Sequence, residues 1–286
     1  MGGMRSDFER AGIRREIISF SKGIPERRKD WVTVEEPLQI VVECEGRRTD
    51  LAVIMRTPAM DIELAAGFLY TEGIISSGEE ILSIGYEHSG EGKDGNMVLA
   101  SLAGSARMDL QERRFNVNSS CGICGKSSIN ELYLRGNKIV HSESLIRSSV
   151  IEGLPEKMRS GQNVFSRTGG IHAAGLFQHD GSLVVVREDI GRHNAVDKIA
   201  GHMLLNGIIG KEDLILQVSG RAGFEIVQKA VCMGIPVVSS ISAPSSLAIE
   251  TAEAFGITLI CFVRDGRFNV YSHGERIAWG NHNGRA

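Results

Sequence analysis

What this chain lacks narrows its class first. No apolar run approaches the roughly 20 residues a membrane-spanning helix needs. Neither sign of charge dominates: 32 Lys and Arg stand against 35 Asp and Glu, for a net charge of −3. General nucleic-acid binding, which needs a basic surface, is therefore not expected. Proline is scarce, with 6 residues, while glycine is abundant, with 34 among 286. That balance favours tight turns and close backbone approaches over flexible linkers. Five cysteines are too few and too odd in number for a secreted disulfide scaffold. No fixed-period repeat and no low-complexity segment is present. The start, Met1-Gly2-Gly3-Met4-Arg5-Ser6, lacks the apolar stretch of a signal peptide. It fits a loose myristoylation pattern, which is short and has no other support. The expectation is a soluble cytoplasmic protein.

The apolar pattern predicts two parts. Residues 1–30, mixed in charge, read as a loose arm ending in one strand. Residues 31–57 alternate and read as a β-hairpin or meander. A helix is expected over 61–70, behind Asp61 as cap, with short strands near 81–87, 96–101 and 113–118. Beyond Cys124 the helices expected are 127–134, 144–159, 192–205, 223–233 and 245–255. Between them lie apolar runs at 171–178, 183–188, 214–218, 236–239 and 257–263, with a closing hairpin to Tyr271. Strands alternating with ten-residue helices indicate an α/β layer fold. The predicted domains are an α+β part over 1–115 and an α/β part over 116–286.

Two cysteines need chemistry or a metal to explain them. Cys121-Gly122-Ile123-Cys124 lies between Phe115-Asn116-Val117 and a predicted helix, with Lys126 nearby. A helix N-terminus and a cation both stabilise a thiolate. Such a cysteine can attack a disulfide or accept sulfur as a persulfide. A zinc site would need two more ligands, and no second Cys-x-x-Cys exists. A thioredoxin-type pair would follow the first strand of a small βαβ domain, which this does not. The zinc-deaminase signature fails too: Ser120 replaces the Pro, and no H-x-E precedes. Cys44, Cys232 and Cys261 lie in apolar runs and read as buried hydrophobes.

Several Gly- and Arg-containing turns form a second group: Arg167-Thr168-Gly169-Gly170, Arg192-His193-Asn194, Ser219-Gly220-Arg221-Ala222-Gly223 and Arg264-Asp265-Gly266-Arg267. The third follows a strand and opens a helix, so backbone N–H groups and Arg221 can meet a phosphate. It is neither a Walker A loop nor G-x-G-x-x-G. Asp265-Gly266 between two strands is by default a hairpin turn, and Asp189 could serve only as a helix cap. His172 and His193 lie nearest these loops, the latter within a dense polar run from Arg187 to Lys198. Acid–base work, ligand hydrogen bonding and a purely structural role all remain open for them.

Taken together, these segments resemble the formate dehydrogenase accessory family FdhD, of sulfur carriers or sulfurtransferases. The resemblance rests on 115–117 with 121–125, on 168–174, on 188–198, on Ser219-Gly220-Arg221, on 245–248 and on 262–271, and covers most of 15–275. It implies a sulfur shuttle from a cysteine desulfurase to the molybdenum bis-molybdopterin guanine dinucleotide cofactor that formate dehydrogenase needs. Cys121 would hold the persulfide and Cys124 would assist transfer. Phe262, Val263, Arg264, Asp265, Gly266 and Arg267 would line the guanine dinucleotide site, with Ser219, Gly220, Arg221, His172 and His193 as further cofactor-binding residues. The C-terminal part would resemble a cytidine deaminase, a three-layer sandwich without the zinc site, in a cytoplasmic homodimer. No structural metal is expected. Cys261 departs from the pattern, where glycine is expected, and is read as inert. Two other readings stay in play: a cofactor-binding chaperone without a covalent sulfur step, and a thiol–disulfide oxidoreductase.

Overall fold

The computed structural model describes residues 10–87, 95–104, 106, 125–210 and 213–280. Among them are seven α-helices, two larger sheets and a two-stranded ribbon, a mixed α/β architecture. Cys121, Cys124 and the strand expected over 113–118 lie outside the described residues, as does the expected boundary between residues 115 and 116.

The ribbon comes first. Strands β1 (Gly12–Ser21) and β2 (Ile24–Thr33) pair antiparallel along their whole length around Lys22 and Gly23. Both turn residues have positive φ, 50° and 85°, as in the two-residue turns that match strand twist. This hairpin replaces the loose arm expected from the sequence. Much of both its faces meets solvent, so no clean alternation of apolar and polar residues marks it.

Next is a four-stranded sheet in the order β4-β3-β6-β5, made of β3 (Glu36–Cys44), β4 (Arg47–Arg56), β5 (Ile81–Tyr86) and β6 (Met97–Leu102). Leu38, Ile40, Val42, Ile54, Val98 and Ala100 line one face. Helix α1 (Asp61–Thr71) packs against them through Leu64, Ala65, Phe68 and Leu69.

Helix α2 (Gly125–Leu134) follows, then the two-residue strand β7 (Ile146–Arg147), α3 (Ser148–Ser160) and the single turn α4 (Phe165–Thr168). The sequence placed the third of these elements from residue 144. It begins later because Ile146 and Arg147 pair with β14 (Ile277–Ala278).

The six-stranded sheet has the order β13-β12-β11-β10-β8-β9. Its strands are β8 (His172–Gln178), β9 (Leu183–Asp189), β10 (Leu214–Val218), β11 (Val237–Ser240), β12 (Thr258–Arg264) and β13 (Arg267–Ser272). β10, β11 and β12 are parallel; β8, β9 and β13 are antiparallel to their neighbours. The crossovers are α5 (Arg192–Leu205), before β10, then α6 (Phe224–Met233) and α7 (Ser246–Phe255). Leu214, Leu216, Val218, Leu259 and Cys261 face α5, α6 and α7, while Ile215, Ile260 and Val263 face α3. The sheet is thus covered on both sides, which is why its strands read as near-continuous apolar runs.

Candidate functional site

Three parallel strands put their carboxyl ends at one edge of the sheet, where open α/β folds bind ligands. The loops 219–223 and 241–245 leave that edge, and the β12–β13 turn reaches beyond it. β8 runs against β10, so its first residue, His172, opens at the same edge, opposite Asp189 of β9. Helices α5, α6 and α7 all begin there. α7 is capped by Ser245, whose hydroxyl accepts from the Ala248 N–H at 3.2 Å. α5 and α6 start on Gly191 and Gly223, which supply no side-chain cap. Their first-turn N–H groups therefore keep their partial positive charge for an anion.

Hydrogen bonds join these loops. Ser240 donates to the Gly220 carbonyl at 2.7 Å. Ala222 and Ser245 exchange backbone bonds across the two loops, to the carbonyls of Ala243 and Ala222, both at 3.1 Å. Phe262 donates its N–H to Ser242 at 3.1 Å. Gly220 lies against the His172 ring: a Cβ there would stand 3.4 Å from Nδ1. Arg221 is exposed and, among the described residues, has no ion pair.

The two histidines sit in different surroundings. His172 is half-buried, and its Nδ1 lies 3.3 Å from the Ser219 hydroxyl. Burial, then the nearby Arg192 and His193, hold its pKa below the ordinary histidine value, against the pull of Asp189. His193 Nε2 lies 2.7 Å from Glu225 Oε2, and that hydrogen bond holds the Glu225 carboxyl below its usual range. Nothing in the sequence singled out Glu225. It joins the site because it stands in the first turn of α6, which lies against the first turn of α5 that carries His193.

The dense run from Arg187 to Lys198 divides by direction. Asp189, Asn194, Asp197 and Lys198 are buried and bind protein, not solvent. Asp189 pairs with Lys198 at 2.7 Å and accepts from Asn194 and from the Gly191 N–H. Lys198 also donates to the carbonyl of Thr57, just past β4, and Asn194 to that of Met55, near the end of β4. Glu188 accepts from the N–H groups of Val164 and Phe165 at 2.9 and 2.8 Å, which fixes the start of α4 and so the loop at Gly169 and Gly170. Only Arg192 and His193 are left for the edge.

Beyond Cys261 the backbone is irregular. The β12–β13 pairing is interrupted between Cys261 and Arg264, and Phe262 has φ 57°, a left-handed conformation that costs a bulky residue energy. The Arg264 guanidinium lies 5.9 Å from the centre of the Phe262 ring. Asp265 and Gly266, with φ 54° and 66°, form the hairpin turn, and Arg264 and Arg267 face one another across it, exposed. Val263 points into the core under α3, leaving only its backbone for a ligand. Cys261 is fully buried, and desolvation pushes its thiol up to about 12. Among the described residues no group of His, Cys, Asp and Glu is arranged to hold a metal ion, and no helix is long and apolar enough to cross a membrane.

Comparison with known proteins places the chain. A sulfur carrier protein FdhD of Picrophilus torridus is 53% identical over 248 residues, covering 87% of this chain and 92% of the relative. One of Mycolicibacterium paratuberculosis is 42% identical over 272 residues, covering 92% and 98%. The fold matches a solved structure described as a formate dehydrogenase accessory protein, from Desulfotalea psychrophila, with a TM-score of 0.71 and 24% identity over 94% of this chain and all of that one. The profile of the FdhD/NarQ family aligns with residues 33–278. The chain belongs to the FdhD/NarQ family.

Proposed function

We propose that this protein is a sulfur carrier serving formate dehydrogenase. It receives sulfur from a cysteine desulfurase and passes it to the molybdenum bis-molybdopterin guanine dinucleotide cofactor, its substrate and cargo. The relatives named sulfur carrier, aligned over nearly their whole length, support the role. The observation that carries the cargo reading is the edge itself: uncapped starts of α5 and α6 with Arg192 and Arg221 at or next to them, and Arg264 and Arg267 on the β12–β13 turn that reaches beyond the same edge. That combination suits a large polyanion carrying several phosphates.

The sulfur step balances on two thiols. The Cys121 thiolate attacks the terminal sulfur of the desulfurase persulfide and displaces the desulfurase thiolate. Attack by Cys124 on the inner sulfur of the Cys121 persulfide then forms a Cys121–Cys124 disulfide. Hydrosulfide is released to the cargo, and the two thiols supply the two electrons. Phe262 offers a ring at the edge for a base, and Ser219, Gly220, His172 and His193 complete the wall. The C-terminal layers correspond in this reading to a cytidine-deaminase-like sandwich that has lost its zinc, in a cytoplasmic homodimer.

Intact-mass measurement after incubation with a desulfurase and cysteine tests the covalent step. A gain of about 32 Da, removed by reductant and prevented by Cys121→Ala, is expected. No gain, with the desulfurase active on a control acceptor, would replace this reading with a cofactor-binding chaperone.

A further inference from the structure

We infer that Ser219 is a positioning residue: its hydroxyl donates to Nδ1 of His172 and holds the ring as its Nε2–H tautomer, a neutral hydrogen-bond donor for an anionic oxygen at the sheet edge. The anionic-ligand half rests on the proposed function; the tautomer half does not.

The argument starts from hydrogen-bond accounting. A serine hydroxyl has one proton to give and can accept twice. Ser219 Oγ already accepts from the Ala173 N–H at 2.9 Å. Its own proton needs an acceptor, and Nδ1 of His172, at 3.3 Å, is the acceptor present among the described residues. The opposite tautomer would aim two N–H donors at one oxygen and leave the hydroxyl proton without a protein partner. The Ser219 N–H meanwhile donates to the Ala173 carbonyl at 3.0 Å. Ser219 and Ala173 therefore grip each other at both ends, and the hydroxyl cannot swing away without breaking that pair.

The surroundings keep the ring uncharged. Arg192 and His193 of α5 face it as positive or potentially positive groups, and only Asp189 of β9 opposes them. A Cβ on Gly220 would come within 3.4 Å of Nδ1 and 3.5 Å of Cε1. The ring is thus packed against backbone on that side. With Nδ1 occupied by Ser219, Nε2 is the only ring nitrogen left for a ligand, and it carries a proton. His172 is then unable to act as a base at the site, whereas it can donate to a phosphate oxygen without the desolvation cost of a buried cation. With its one proton given to His172, the Ser219 hydroxyl has none left for an anionic oxygen, so its part in the wall is played through the ring.

Long-range proton–nitrogen NMR of the uniformly labelled, ligand-free full chain reads the tautomer directly. The expected His172 signal has Nδ1 unprotonated and Nε2 protonated at about pH 7.5. Ser219→Ala is expected to mix the tautomers, and Ser219→Thr to restore the native one. A native Nδ1–H signal, or a Ser219→Ala spectrum identical to the native one, overturns the assignment; the native spectrum alone decides if the variant fails to fold. For the ligand half the probe is GDP, measured by calorimetry. His172→Leu should weaken binding about tenfold, and His172→Gln, which keeps an N–H at similar reach, should recover most of that loss. Equal losses in both variants would refute the donor role. No binding of GDP to the native chain would overturn the reading of the edge as a nucleotide site, while the NMR result still settles the ring.

Discussion

Gly67 of α1 and Gly201 of α5 meet reciprocally where the two helices cross. A Cβ on Gly67 would lie 1.8 Å from the Asp197 carbonyl oxygen, and one on Gly201 would lie 1.8 Å from that of Glu63. Both obstacles are backbone, so neither can rotate aside. Gly67→Ala or Gly201→Ala must force the helices apart, at a cost of about 3 kcal/mol. Urea denaturation followed by circular dichroism checks this; a loss under about 1 kcal/mol would show that the crossing can loosen without penalty.

Lys198 of α5 and Asp189, at the end of β9, form an ion pair 2.7 Å apart, both buried. Lys198→Met leaves the carboxylate buried without its cation. A loss of roughly 3–5 kcal/mol is expected, with part of it recovered by adding Asp189→Asn. Thermal unfolding of the single and double variants measures the difference. Additive effects would mean that the pair is not coupled.

His172 makes stability depend on pH in a stated direction. Its folded pKa lies below the ordinary value of 6.5, so the unfolded chain binds the proton more readily. Well above 6.5 neither state is protonated and the group contributes nothing. As pH falls through 6.5 the unfolded state is favoured, until the folded pKa is reached. The stability of the native chain relative to His172→Gln should therefore be lower at about pH 5.5 than at about pH 8. Urea midpoints at both values test it, and an unchanged or opposite difference contradicts the assignment.

Much of this was legible beforehand, for identifiable reasons. Ile215, Val237 and Ile260 sit in strands that are apolar on both faces, and Ala195, Val196 and Ile199 repeat at helical spacing; both signals survive in one dimension. Asp-Gly between two apolar runs predicts a turn, and Asp265 and Gly266 form one. The polar run 187–198 is different. Spacing reports that Asp189, Asn194 and Lys198 lie close together, but whether they face solvent or Thr57 depends on a partner more than 130 residues away. Glu225 was missed for the same reason, since its role exists only once α6 is set beside α5. The ribbon was missed because exposed, charged strands lack the apolar contrast that marks a buried face.

Desolvation raises the thiols of Cys261 to about 12 and Cys232 to about 11, so neither carries thiolate at neutral pH. Iodoacetamide at about pH 8 should leave both unmodified in the folded chain and modify both in urea. Peptide mass mapping reads the outcome. Cys261→Ala should leave sulfur loading unchanged, and loss of loading would make this cysteine a participant in the relay.

Arg221 is exposed in the 219–223 loop, and the exposed Arg264 guanidinium lies 5.9 Å from the centre of the Phe262 ring. If phosphates bind there, Arg221→Ala should weaken GDP about tenfold, with a smaller dependence of affinity on salt. Calorimetry at two salt concentrations distinguishes this from misfolding, which would abolish binding at both.

Helix α5 bears on how such a protein can change over time. Leu204, near its end, is packed in the core of the four-stranded sheet, while Ile199, a turn and a half earlier, belongs to the core of the six-stranded one. One helix is therefore common property. Recombination that exchanged either sheet for that of a distant relative would inherit the wrong half of a shared wall. The two sheets must drift together, and a substitution tolerated in one lineage need not survive transplantation into another.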